Sequence, residues 1–297
     1  MWEAFSSPPT IYEARAPWRE IREDLLRLAK AGRLVEQRYK WWLLASEISF
    51  AGLFFSFPVV FITSFNGVPV LGWVVSATLF ALFAVALYMT LRLTDRRTEP
   101  HRAEVVLGWG ECVGRDAPRK ARWRIRLDLR RTHSPFFETA RRSSLDPKTK
   151  IETTRIEYSQ KWLDVSGRLK DGTQFRTTVV QRVKSREKPH RKGVKVREKF
   201  EELVAATISG RPGEPPLDDK LPSLPHGKLD PRSQLKSRRM QKGKLEASVI
   251  VRQIRTQRRG AVVNPHAELQ LADRDVLLRL FVVCYRGRRL AQRKQRK

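Results

Sequence analysis

The longest feature of the hydrophobic pattern is an apolar block from 43 to 91, in which no Asp, Glu, Lys or Arg occurs between Glu47 and Arg92. A helix on a soluble core shows a polar stripe every turn or two, whereas crossing a bilayer as a helix takes roughly 20 apolar residues. Residues 43–64 and 68–91 each supply a run of that kind, separated by Phe65-Asn66-Gly67-Val68 and followed by Pro69. Asn-Gly is suitable turn chemistry for a link that sits at the membrane interface. The pattern predicts two transmembrane helices joined as a hairpin, spanning about 43–64 and 68–91, within a segment 41–93. Pro58 removes a backbone donor and predicts a kink in the first span. Glu47 lies about one turn beyond Trp42, close enough for its carboxylate to reach the headgroups.

Ahead of the block the rhythm is different. Residues 1–16, with Ser6-Ser7-Pro8-Pro9, read as irregular. From Pro17 the apolar positions Ile21, Leu25, Leu28, Val35 and Tyr39 recur at helical spacing. An amphipathic juxtamembrane helix is therefore expected within the N-terminal region 1–40, its apolar stripe set either on headgroups, on a second copy or on the protein's own soluble part.

Beyond 94 the pattern is mainly that of strands. Residues 103–109 read as a short strand leading into the glycine-rich stretch Gly108-Trp-Gly-Glu-Cys-Val-Gly114, whose spacing does not fit a dinucleotide fingerprint. In 122–130, Trp123, Ile125, Leu127 and Leu129 alternate with Arg122, Arg124, Arg126, Asp128 and Arg130, which predicts a strand with one packed and one cationic face. Residues 132–151 read as a long loop with a helical turn. Lys170-Asp171-Gly172 between two strand-like runs, 156–169 and 173–185, predicts a β-hairpin. A basic turn holding Arg186, Lys188, Arg191 and Lys192 leads to a third strand over 194–208, completing an antiparallel meander, with 200–206 also compatible with a helix. Residues 209–235, rich in Pro and Gly, read as a flexible linker; 245–254 reads as a strand, and 276–285 as a buried strand or short helix. The fold class expected is thus a membrane α-helical hairpin plus an α+β, mainly antiparallel β, soluble domain over 94–297, ending in a basic tail, 286–297, with seven positive charges.

Charge adds the orientation. Residues 1–40 carry only +2 and Glu47 is the single charge of the apolar block, so residues 92–297 hold +28 of the total +29. Arg27, Lys30, Arg33, Arg38 and Lys40 precede the first span, Arg92, Arg96, Arg97 and Arg102 follow the second, and the turn between carries none. Lys and Arg near span ends stay on the cytoplasmic side, so a multi-pass protein of a bacterial-type inner membrane with both termini cytoplasmic is expected. The first span is expected to act as the targeting signal, since the first apolar run begins about forty residues in.

Candidate chemistry is sparse. Cys112 and Cys284 are far apart, and His101, His133, His190, His226 and His266 are scattered singly, so no metal site or cofactor is expected. Neither a phosphate-binding glycine loop, nor a nucleophile elbow, nor a kinase signature is present, and no catalytic residue is assigned. What remains is cationic surface, which suits anionic lipid or an acidic protein. Nucleic acid would be held only non-specifically, because the basic clusters lack aromatic stacking groups. Arg122, Arg124, Arg126, Arg186, Lys188, Arg191 and Lys192 are the residues expected to make the anionic contact. The reading is a non-enzymatic integral membrane protein whose basic domain docks on anionic lipid or on an acidic protein partner. Two alternatives stand beside it: an accessory subunit of a larger membrane complex or homo-oligomer, and a membrane-bound enzyme without a recognisable motif.

Overall fold

A computed structural model describes residues 10–65, 69–94, 98–145, 152–190, 193–210, 233–241, 244–259 and 274–295. The chain is α+β, and its described residues form four helices and an eight-stranded antiparallel sheet. It divides into two compact units, one of Arg27–Pro100 and one of Thr10–Leu26 with His101–Lys297.

The first unit holds most of α1 (Trp18–Phe65) and all of α2 (Pro69–Thr94). Within α2, Trp73–Thr94 is the one stretch among the described residues long and apolar enough to cross a membrane, and only 11% of it is buried. Helix α1 is continuous from the amphipathic stretch through 43–64 and past Pro58. The expected turn at 66–68 and the side chains at 57, 59, 60 and 62–72 lie outside the described residues. Along the two helices Phe50 meets Phe83 at 5.7 Å between ring centroids, and Leu79 lies against Gly52.

The second unit is built on the sheet, with strand order β1-β2-β4-β5-β6-β8-β7 and β3 on the remaining edge of β4. The strands are β1 (Ile11–Pro17), β2 (Arg122–Asp128), β3 (Glu138–Leu145), β4 (Glu152–Arg168), β5 (Gln174–His190), β6 (Gly193–Ser209), β7 (Ser233–Gln241) and β8 (Lys244–Arg259). The meander β4-β5-β6 turns as expected at Lys170-Asp171-Gly172. Gly172 has φ 84°, a left-handed conformation that favours glycine, and the Asp171 carboxylate accepts from the Thr173 N–H. The residues 200–206 are strand, not helix, and the expected strand 245–254 is the middle of β8.

Several expectations need correction. Residues 11–17 are not irregular but form the edge strand β1, registered so that Tyr12, Ala14 and Ala16 stand opposite Leu127, Ile125 and Trp123. Residues 103–109 are not a strand: they belong to helix α3 (Pro100–Gly114), with Ala103, Val106, Leu107, Trp109, Gly110 and Val113 buried at helical spacing. Two of its three glycines are needed for close approach. A Cβ on Gly110 would stand 2.0 Å from Trp18 Cη2, and one on Gly114 2.5 Å from Trp18 Cδ1. The loop expected at 132–151 contains a 3-10 turn at Pro135–Phe137 and then β3; residues 146–151 lie outside the described set. The supposed linker 209–235 includes the start of β7, with 211–232 outside the described residues. Residues 276–285 resolve as helix, within α4 (Arg274–Gln295), which also takes in most of the basic tail.

One face of the sheet carries the core. Trp18, Trp109, Trp123, Phe175 and Phe281 form an aromatic cluster with centroid separations of 4.9–6.0 Å. Ile21 and Leu25 of α1 are fully buried, so this part of the amphipathic stripe packs within the unit. Val276, Leu277, Leu280, Phe281 and Cys284 form the buried stripe of α4, and Tyr285 donates to Asp171 at 2.7 Å. A bulge in β4 at Lys161/Leu163 turns Trp162 and Leu163 inward together.

At the centre of the same face sits a guanidinium. Arg102, on the first turn of α3, is 1% exposed. It donates to the backbone carbonyls of Asp128 and Arg130 at 2.9 and 2.8 Å, to the Thr132 hydroxyl at 2.9 Å, and to the amide oxygens of Gln160 and Gln181 at 3.1 and 2.6 Å. Its charge also lies 5.3 Å from the Trp162 ring centroid.

The contact of Trp18 with α3 gives a test with a change of sign. Gly→Ala in a helix interior gains about 1 kcal/mol in propensity, but here the added methyl overlaps a rigid indole, and overpacking costs about 1–3 kcal/mol. Gly110→Ala is therefore expected to destabilise the protein. In a Trp18→Ala background the same substitution is expected to stabilise it by about 1 kcal/mol. Urea unfolding followed by circular dichroism measures both; a stabilising Gly110→Ala in the otherwise unchanged chain would contradict the packing described.

Candidate anion-binding surface

The strand alternation that buries Trp123, Ile125 and Leu127 sends the intervening residues to the opposite face, where Arg122, Arg124 and Arg126 are exposed. Asp128 and Arg130 do not continue that cationic row as the pattern predicts. Asp128 is buried at the strand end, and Arg130 folds back on it through a bidentate contact of 3.0 and 2.7 Å. The hydrogen bond to Asp128 holds the Arg130 guanidinium above its ordinary pKa.

Register shows what each exposed arginine faces. Glu13, Arg126 and Asp164 stand side by side across β1, β2 and β4. Glu13 pairs with Arg126 at 3.2 Å, while Asp164 accepts from Arg176 at 2.9 and 2.7 Å and from Lys161. Burial pushes the Asp164 carboxyl upward, but the hydrogen bonds and charges of Arg176 and Lys161 outweigh it and hold the group below its ordinary value. In the next row Arg15 stands directly opposite Arg124, which faces Ser166, which faces Arg176. Pairing of β2 with β4 covers only Arg124–Leu127 against Leu163–Ser166. Past that point a groove of about 380 Å³ is lined by Arg15, Arg122, Arg124 and Arg168, with Ser166, Gly167, Gln174 and Phe175. A smaller one of about 240 Å³ shares Arg124 and Ser166 and adds Arg126, Asp164 and Arg176.

Arg186 and Lys188 lie elsewhere. They belong to β5, not to a turn, about ten residues and roughly 33 Å along the strand from Arg176. Arg191 and Lys192 fall outside the described residues. Here the register again sets like against like: Arg142 of β3 faces Arg155 of β4, Arg155 faces Arg186 of β5, and Arg186 faces Arg197 of β6. All four are exposed. With strands about 4.8 Å apart, the row spans roughly 14 Å from backbone to backbone. Lys188 faces Lys195 in the row beyond. The acidic residues nearby serve other cations: Glu157 pairs with Lys184 at 3.1 Å, and Glu201 with Lys199 and Arg252 at 3.0 and 3.1 Å.

Of the seven residues expected from sequence, the five that are described are divided between two clusters. Arg15, Arg168 and Arg176 of the first, and Arg142, Arg155 and Arg197 of the second, were not singled out. Their alternation was visible in part, but which strand faces which was not. Among the described residues no group of three or more His, Cys, Asp or Glu is arranged to hold a metal ion. His133 lies 3.1 Å from the Glu198 carboxylate and against the Tyr158 and Phe200 rings. Cys112 is exposed and Cys284 buried.

The pairing of Asp164 has a pH signature. Its folded pKa is depressed, so its contribution is complete above the unfolded value near 4 and is lost as pH falls through the folded value. Asp164→Asn is expected to cost about 1 kcal/mol at pH 7. The gap between variant and parent should close progressively below about pH 4. Thermal unfolding of the two proteins across pH 2.5–7 measures this, and a gap independent of pH would rule the carboxylate out as its source.

Comparison with known proteins finds no match to this chain among protein families, curated proteins or solved structures.

Proposed function

We propose that this is an integral membrane protein, anchored by a hairpin of two spanning helices at about 43–64 and 68–91, with both termini cytoplasmic in a bacterial-type inner membrane. Its basic β unit docks on anionic lipid headgroups and carries out no reaction. The observation that carries the anchor is the exposure of α2: Trp73, Phe80, Leu82, Val85, Tyr88 and Leu91 are each more than half exposed on a helix long enough to span. A core helix of a soluble protein would have these side chains covered, and leaving each in water costs about 1.5–3 kcal/mol. The contacts Phe50–Phe83 and Gly52–Leu79 fit two helices running antiparallel. Five hydroxyls of the two helices fit as well: those of Ser46, Ser56, Thr78, Thr90 and Thr94 turn to carbonyls one turn back, needing no water, whereas the buried Ser76 hydroxyl has no partner among the described residues.

The docking part rests on the arginine row Arg142-Arg155-Arg186-Arg197. Among the described residues none of the four has an ion pair or a hydrogen bond from its side chain. An exposed array suits a surface presenting many acceptors better than a single small ligand. Each basic residue close to an anionic leaflet contributes about 1 kcal/mol, reduced by screening.

Orientation has a built-in reporter in Cys112, since it is exposed and Cys284 is buried. A membrane-impermeant maleimide is expected to label inverted membrane vesicles and to leave intact cells unlabelled, with the protein resisting alkaline extraction. Labelling of intact cells would reverse the topology.

Docking is read with the full chain in neutral nanodiscs, because β1 and the start of α1 are part of the β unit. Replacing all four arginines of the row by Gln is expected to lower capture on phosphatidylglycerol vesicles at least about tenfold. Capture unchanged by those four substitutions would remove lipid docking from this surface.

A further inference from the structure

We infer that the groove where β2 and β4 part is a binding site for a small phosphorylated anion carrying two or more negative charges. This site is separate from the arginine row and does not depend on the docking reading.

Shape is the first ground. The groove's volume of about 380 Å³ falls in the range of small-molecule sites, whereas the arginine row is an open line on the sheet. The groove exists because β2 and β4 stop pairing beyond Arg124 and Ser166. On the core side Gly167 lets Phe175 press against the strand, where a Cβ would stand 2.8 Å from Phe175 Cζ.

Charge is the second. Arg15, Arg122, Arg124 and Arg168 come from three strands to one groove, and among the described residues none of them has an ion pair or a hydrogen bond from its side chain. The neighbouring row shows that carboxylates are available on this face, but Glu13 and Asp164 are taken by Arg126, Arg176 and Lys161. No carboxylate lines the larger groove. Arg15 and Arg124 are direct cross-strand partners, and like charges in that position are destabilising. An anion between them removes the repulsion. Four guanidiniums offer far more N–H donors than one carboxylate can accept, and their planar forks match phosphate oxygens in pairs. Ser166 and Gln174 add neutral donors for the remaining oxygens.

The ligand's phosphate can belong to a soluble metabolite or to a lipid headgroup, and the test separates them. The full chain in phosphatidylcholine nanodiscs is titrated with inorganic pyrophosphate at about 0.15 M ionic strength, and the titration is repeated with phosphatidic acid in the nanodisc. We expect saturable binding and a rise in melting temperature. In Arg15→Gln/Arg124→Gln, and independently in Arg122→Gln/Arg168→Gln, affinity should fall at least about tenfold. The ligand-free melting temperature of the first pair should hold or rise, because the repulsion is gone. Arg182→Gln/Lys184→Gln, with the same loss of charge further along β5, should bind like the parent. Competition by phosphatidic acid would identify a headgroup as the occupant, and undiminished binding would identify a soluble phosphate; both support the site. No binding to the parent chain, or an equal loss in Arg182→Gln/Lys184→Gln, would overturn it. Vesicle docking through the arginine row is read separately, so either conclusion can fail alone.

Discussion

The buried guanidinium of Arg102 constrains more of the β unit than any other side chain. A charge taken out of water costs several kcal/mol unless the interior supplies a full set of partners, and here those partners come from four separate places. The carbonyls of Asp128 and Arg130 lie at the end of β2, Thr132 in the following loop, Gln160 on β4 and Gln181 on β5. Helix α3 can sit in only one position if all of them are to be met. The same requirement fixes how the chain leaves β2: Asp128 is drawn inward and Arg130 is held over Phe136 and Phe137. The bulge at Lys161/Leu163 belongs to this arrangement as well, since it brings Trp162 inside, where its indole N–H donates to Glu202 at 3.1 Å.

Once the inner face is fixed in this way, strand alternation determines the outer one. Inward Trp123 and Ile125 commit Arg122, Arg124 and Arg126 to solvent, and inward Phe175 does the same for Arg176. With 60 basic and 31 acidic residues in the chain, the acids cannot reach every row. Their distribution is uneven in an informative way: Glu13, Glu157, Asp164 and Glu201 neutralise particular rows, while Arg15-Arg124 and Arg142-Arg155-Arg186-Arg197 face one another. A charge excess serving only solubility needs no such alignment, because scattered charges do that at lower electrostatic cost.

How much of this was legible depends on how local the signal was. The β4–β5 hairpin and the two faces of β2 could be read directly, because Asp171-Gly172 and the Trp-Arg-Ile-Arg-Leu alternation each lie within a few residues. Helix α3 could not. Gly108, Gly110 and Gly114 resemble loop sequence, and the reason for Gly110 and Gly114 is the indole of Trp18, about ninety residues earlier in the chain. Strands β3 and β7 were missed because polar residues such as Arg141-Arg142-Ser143-Ser144 and Lys236-Ser237-Arg238-Arg239 give no hydrophobic rhythm. Of the site, Arg122, Arg124, Arg126 and Arg186 were visible as exposed cations. Their grouping required three or four strand registers at once, and a register error of one residue would have turned each side chain to the other face.

The arginine row also bears on why the strands are so long. β4, β5 and β6 each have 17 residues, about three times the usual strand length. The aromatic cluster gathers around Trp123 and Phe175, at one end of β5, whereas Arg186 lies near the other. Continuous backbone pairing holds the row on the face opposite buried Ile156, Val183, Ser185 and Phe200. A loop bearing the same four arginines could relax by moving them apart. A sheet keeps their backbones about 4.8 Å from one another. The long strands thus present the cationic row on the open face of the sheet, opposite buried side chains.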